Sequence, residues 1–275
     1  MCIRDRMMRA LDLDLQMRLA EHGGGLDLES EFRSLFRDAI ATGDRGVATR
    51  AKIALGLITH ADRRPGEAIT HFARAIEDNT VTPVTHPEVY LKLAEAHFDS
   101  GNSVSAVSVL EDAIGFIERS GDDRLFVRFA ASLTSVLADA GQWERAEHLA
   151  ERARNVNVDD IRIRARLIWA SGHLAAAQGR PDQGIDLMRR AIALLSATED
   201  TIGTGRAHLF CSALSLDAGQ VEKAKEHLDR AGRLLGAGAG GEVEDAITAL
   251  GRRAQFAQEP THAISAAESH DTHHR

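Results

Sequence analysis

Five times along the chain, two small residues stand seven positions apart with a mostly larger residue between them, four after the first. The copies are Ala68, Phe72, Ala75; Ala106, Leu110, Ala113; Ala146, Ala150, Ala153; Gly184, Met188, Ala191; and Ala224, Leu228, Ala231. Their leading positions lie 38, 40, 38 and 40 residues apart. Twelve residues before each stands another compact residue: Gly56, Ala94, Thr134, Gly172 and Ser212. Spacings of four and seven put the small residues on one face of a helix.

Between each compact residue and its partner copy the chain carries a break: DRRPGEA, DSGNSVSA, DAGQWERA, AQGRPDQG and DAGQVEKA. Gly101, Gly141, Gly179 and Gly219 suit a left-handed residue ending one helix, and Pro65 and Pro181 suit the start of the next. Each unit therefore reads as two antiparallel helices whose axes approach to within roughly 8–10 Å only where the crossing side chains are small. One hairpin cannot bury its apolar face alone. Several must stack, and the sum is an all-α solenoid with a 38–40 residue period.

The pattern resembles the tetratricopeptide repeat (TPR), whose signature is this set of small and large positions across a helix pair. The resemblance covers about residues 27 to 235. It implies a right-handed superhelix of antiparallel helix pairs, here near 8–42, 44–79, 87–120, 123–156, 159–197 and 201–236, closed by a cap at 241–256. The period exceeds the roughly 34 residues usual for the family. The aromatic residue that commonly opens the first helix is largely missing, with Tyr90 the best match. RIRARLIWASGHLAAAQGRPDQGIDLMRRAIALLSATEDT and GRAHLFCSALSLDAGQVEKAKEHLDRAGRLL are similar to the sensor half of actinobacterial helix-turn-helix (XRE-type) transcriptional regulators. That resemblance implies a DNA-binding domain ahead of the repeats.

No such domain is visible, and the chain opens instead with MCIRDRMMRA. MCIRDR reads as the translated remnant of a sequencing adapter, so residues 1–7 are expected to be a non-native leader on a fragment that extends upstream. The other reading is a natural short leader before Met7 or Met8. Residues 8–21 and 28–41 have helical periodicity around the breaker HGGGLD and are expected to form an incomplete first pair. At the far end, residues 257–275 are polar and are expected to be a disordered tail; solvation is the expected state of its His270, His273 and His274.

Composition excludes several functions. A formal net charge of -8, with lysine only at positions 52, 92, 223 and 225, leaves no concentrated basic face, so direct nucleic-acid contact is not expected. No run approaches the roughly 20 apolar residues of a membrane span, and no secretory signal is recognisable, which gives a cytoplasmic reading. Cys2 and Cys211 are too few for a disulfide framework or a cysteine-based zinc site, and Cys211 is expected to be a buried apolar residue.

Catalytic signals fail one by one. GAGAGG at 236–241 matches a dinucleotide-binding glycine pattern, but that motif needs a strand before it and a helix opening on it, and here a helix precedes it. It reads as a linker. No G-x-S-x-G elbow, H-E-x-x-H pair or phosphate-binding loop is present, and neither His60 nor His173 has a nucleophile to serve. The chain is read as no enzyme, with no cofactor and no metal.

The family resemblance also implies which residues face the concave groove lined by the first helices. By register these are Arg50, Ile53, Leu57 and His60; Glu88, Leu91, Glu95 and Phe98; Arg128, Ala131, Ser135 and Ala138; Arg166, Trp169, His173 and Ala176; and Arg206, Leu209, Ala213 and Leu216. Arginine holds the equivalent place in four of five pairs: Arg50, Arg128, Arg166 and Arg206. Guanidinium groups above a floor containing Trp169, Phe98 and Leu209 suit a peptide or other ligand with carboxylates. The plainer alternative is that these arginines only cover neighbouring surface and that Trp169 is a packed core aromatic.

The functional expectation is a protein- or peptide-binding scaffold. In one form it is the ligand-sensing and oligomerisation region of a bacterial transcriptional regulator, with a homodimer among its arrangements. In the other it is a free-standing adaptor bridging other proteins, with no DNA connection. The asparagine-rich clamp by which chaperone-binding members hold a C-terminal carboxylate has no counterpart here.

Overall fold

The computed structural model of the chain describes residues 25–198, 200–235 and 241–256. The expected leader, the helix at 8–21, most of the glycine-rich linker and the tail lie outside the described residues.

Every regular element among the described residues is a helix. A first helix, α1 (Gly25–Thr42), begins inside the HGGGLD breaker. It is followed by five hairpins: α2 (Arg45–Ala61) with α3 (Pro65–Ile76), α4 (Pro87–Asp99) with α5 (Ser103–Ser120), α6 (Asp123–Asp139) with α7 (Trp143–Arg154), α8 (Ile161–Ala177) with α9 (Pro181–Ser196), and α10 (Thr201–Asp217) with α11 (Val221–Leu235). A last helix, α12 (Gly241–Phe256), packs on α10 and α11.

Local chemistry sets these boundaries. Four of the five first helices open on an aspartate, Asp44, Asp122, Asp160 or Asp200, whose carboxylate accepts from a backbone N–H in the first turn. The exception is α4, which opens on Pro87, as α3 and α9 open on Pro65 and Pro181. The left-handed residues between helices of a pair are Gly101, Gly141, Gly179 and Gly219, with φ between 70° and 79°. In the first hairpin, Arg63 holds that conformation at φ 57°.

The small positions pack as steric logic requires. Ala68, Ala106, Ala146 and Ala224 are fully buried, as are Ala75, Ala113, Ala191 and Ala231. A Cβ on Gly56 would lie 2.6 Å from the Phe72 ring, and one on Gly184 would lie 2.9 Å from the Gly172 carbonyl oxygen, so these crossings leave no room for a methyl group. Large residues then fill the space between hairpins. Phe129, Leu110, Ile117 and Leu137 form one core running from α4 to α8, each stabilising the stack by roughly 1.5–3 kcal/mol through burial. Leu228 departs from the pattern, being only half-buried.

Candidate functional site

Successive first helices lie side by side, and the contacts between them define one face. Arg128 Nη2 of α6 donates to Glu88 Oε1 of α4 at 2.5 Å; both hold the same register position, one pair apart. His173 Nε2 of α8 lies 2.9 Å from Asp139 Oδ1 of α6, and His60 Nε2 of α2 lies 3.3 Å from Asp99 Oδ2 of α4. Trp169 of α8 and Phe210 of α10 have ring centroids 6.3 Å apart, and His173 meets the Phe210 ring edge-on at 5.1 Å. A stack with constant rotation per pair curls this surface inward.

The register residues divide along this face. On α4 and α6 charge is internally matched. Arg128 is held by Glu88, Lys92 Nζ reaches Glu95 at 2.6 Å, and Leu91 is buried at 5% exposure in the core beneath. Leu57 and Phe98 are half-buried, each packed against the core below it. In the C-terminal half the two arginines are exposed and have no ion-pair partner among the described residues: Arg166 on α8 and Arg206 on α10. Arg50 on α2 is in the same condition at the opposite end.

Trp169 and Phe210 are half-buried, each with one side on the core of Met188, Leu195 and Cys211. The structure places Arg166, Trp169 and His173 on α8 and Arg206 on α10, and it adds Phe210 of α10, which the register of Leu209 passes over by one position and whose ring meets Trp169 and His173. Leu209 itself packs toward Ala231, Leu235 and Ile247. A signal for Phe210 is present in the sequence: it stands three residues after Ala207 and four before Leu214, on the same helix face, and it is the one Phe, Tyr or Trp of that helix.

Recessed clefts lie elsewhere. The second helices splay apart on the opposite face, leaving a cleft of about 470 Å³ between α5 and α7, with Leu133 and Leu137 of α6 in its floor. Arg145 and Arg152 of α7 reach across it to Glu111 and Glu118 of α5. These clefts are lined mainly by second helices, so they and the first-helix face are different features.

Among the described residues no three His, Cys, Asp or Glu side chains are grouped to hold a metal ion. Cys211 is buried, and burial pushes its thiol up to about 12, far from the thiolate form. No helix among the described residues is long and apolar enough to cross a membrane.

No family model and no curated relative matches this chain. Solved structures do. A Rap protein complexed with competence and sporulation factor superposes with a TM-score of 0.62 at 17% identity, over 89% of this chain and 76% of that one. A thermophilic TPR protein of Thermus thermophilus gives 0.56 at 20% identity, over 74% and 98%. The fold is a TPR-like solenoid. A signal transduction ATPase with numerous domains from Pyrococcus horikoshii, described as having a tetratricopeptide repeat sensor, gives 0.54 at 18% identity; 92% of this chain is covered, spanning 36% of that one.

Proposed function

We propose that this TPR-like chain is a non-catalytic scaffold that binds a protein or peptide on its first-helix surface, with the ligand's carboxylates and an apolar side chain held between α8 and α10. The observation that carries this reading is the pair of exposed guanidinium groups of Arg166 and Arg206, without partners among the described residues, beside the half-buried Trp169 and Phe210. A carboxylate between the two arginines would gain charge-assisted hydrogen bonds while an adjacent side chain covered the rings. Similar folds described as complexed with a factor or as containing a sensor support the class of role.

Within that class, the reading is of the ligand-sensing and oligomerising region of a bacterial transcriptional regulator; ligand binding would shift the superhelix between arrangements and so move an attached DNA-binding domain. The other form is a free-standing adaptor. The genomic DNA upstream of Met7 in the same frame separates them: roughly 60–80 residues of helix-turn-helix sequence support the regulator, and an in-frame stop supports the adaptor.

Binding is tested by titrating the partner recovered by affinity capture against wild type, Arg166→Glu and Arg252→Glu at two salt concentrations. Arg252 is exposed on α12, so it controls for net charge. Arg166→Glu is expected to weaken binding at least tenfold, Arg252→Glu far less, with partial salt sensitivity because the aromatic contact is not screened. Equal losses from the two variants would remove the arginines from the site.

A further inference from the structure

Two histidines meet inside the last hairpin. His208 on α10 and His227 on α11 are 5% and 8% exposed, their ring centroids are 5.1 Å apart, and their Nδ1 atoms face each other at 2.8 Å. Such a bond constrains both tautomers: one ring must carry its proton on Nδ1 and donate, while the other offers a bare Nδ1 and carries its proton on Nε2. The contact joins the two helices at their crossing, next to the Ser212 hydroxyl that donates to the Ala224 carbonyl at 2.8 Å.

The charges acting on the pair are cationic. They come from Arg230 on α11 and from Arg189 on α9, the latter ion-paired with Asp186. On α10 the titratable group three residues on is the Cys211 thiol, held neutral by burial, and on α11 the acidic residues flanking His227, Glu226 and Asp229, are exposed to solvent. Burial first, then the charge of the His227 ring and of Arg230, hold His208 down at about 4; burial, then Arg230 and Arg189, hold His227 below its ordinary value.

We propose that the His208–His227 hydrogen bond is an acid-released latch on the C-terminal hairpin, closed while both rings are neutral and opened when protons enter the pair. A first proton, taken at the bare Nε2 of the donating ring, leaves the bond in place but puts a cation among Arg230 and Arg189. A second gives both rings an Nδ1–H, and two donors then face each other with no acceptor between them. The remedy is separation of α10 from α11 and hydration of the rings. In a solenoid each pair contacts only its neighbours, so a terminal hairpin can open without melting the rest. Because α10 carries Arg206 and Phe210, opening would also dismantle one wall of the proposed ligand site; that consequence alone rests on the functional reading above.

The sign follows from the direction of the shifts. The folded pair binds protons less readily than exposed histidines do, so the latch is intact above about pH 6.5 and weakens as pH falls toward 4. Hydrogen exchange by mass spectrometry on the full chain, expressed as protection factors from pH 7 to 4.5, reads this helix by helix. In wild type, protection in α10 and α11 should fall about tenfold per pH unit for each proton taken up, while α5–α8 hold theirs. The double variant His208→Asn, His227→Asn, whose amides donate and accept without titrating, should keep protection in α10 and α11 constant over that range. Loss at the same pH in the double variant, or uniform loss across all helices, would overturn the proposal. Should that variant not fold, NMR titration of the wild-type rings decides instead. Both must titrate below pH 6 together with the loss of protection; titration near 6.5 with protection unchanged would refute the latch. The other histidines that burial lowers, His71 and His97, sit on α3 and α4, so their titration would register elsewhere.

Discussion

Arg128 and Glu88 occupy one register position in neighbouring pairs, forty residues apart, and form an ion pair at 2.5 Å between α6 and α4. The pair shows that this register position points to a shared face, and it also takes one guanidinium out of the row. With Glu88 58% exposed, the pair should contribute little to stability. Glu88→Gln is expected to change unfolding free energy by less than about 1 kcal/mol. It releases Arg128, so an acidic ligand that extends toward α6 should bind several-fold more tightly. Titration of the captured partner checks this, and unchanged affinity would confine the ligand to α8 and α10.

Two glycine-to-alanine changes should have opposite signs. Gly115, inside α5, has only the Arg119 guanidinium near the place its methyl group would take, at 3.7 Å, so Gly115→Ala should stabilise by about 0.5–1 kcal/mol through helix propensity. Gly184 gains the same propensity, but its Cβ would stand 2.9 Å from a backbone carbonyl, 3.2 Å from Leu214 Cδ1 and 3.3 Å from Ala176 Cβ. The α8–α9 crossing must widen, at about 1–3 kcal/mol, so Gly184→Ala should be a net loss. Paired chemical denaturation measures both; a stabilised Gly184→Ala would mean the crossing is looser than described.

What makes the hairpins readable is this same intolerance. A position that admits nothing larger than a methyl group keeps its small residue in every copy, so Ala68, Ala106, Ala146, Gly184 and Ala224 announce the repeat without any structure. Orientation toward ligand is less constrained. Register places Leu91 beside Arg128 and Trp169, yet Leu91 sits in the core while Phe210, one step off the pattern, reaches Trp169. A half-turn of helix separates a floor residue from a core residue, and both are apolar. The histidine pair is less visible still, because its members belong to different helices. Its trace is positional: His227 lies three residues after Ala224 and four before Ala231, on the buried stripe, and His208 lies four before Ser212.

Arg64 ties α1 to the array. Its guanidinium reaches Glu29 at 2.6 Å, Asp62 at 3.0 Å and Glu67 at 3.1 Å, and Arg33 adds a second contact to Glu29. Hydrogen bonds from Arg64 and then Arg33 hold the Glu29 carboxyl below its ordinary value. A depressed carboxylate stabilises the fold above about pH 4.5 and loses that contribution as pH falls through its lowered value, an acid range below that of the histidine latch. Arg64→Ala should cost about 1 kcal/mol, with exchange protection lost first in α1. Loss spread evenly over all helices would show that α1 is held by its apolar contacts to α2 instead.

Trp169 offers a direct optical reading of the proposed ligand surface, because only one other tryptophan competes with it. Trp143 opens α7, is 43% exposed, and donates its indole N–H to the Ala138 carbonyl at 3.3 Å, so Trp143→Phe removes it at the cost of one weak hydrogen bond, about 1 kcal/mol. In that background the remaining indole is half-buried beside Phe210, and its emission should lie to the blue of the wild-type average. An acidic ligand seated between Arg166 and Arg206 would exclude further water from the ring and shift emission further to the blue, saturating at the affinity found by titration. The added variant Arg206→Glu should shift the fluorescence curve and the binding curve together by at least tenfold. If the ligand binds with undiminished affinity while Trp169 emission stays constant, its site lies away from α8 and α10, and the clefts between the second helices become the place to look.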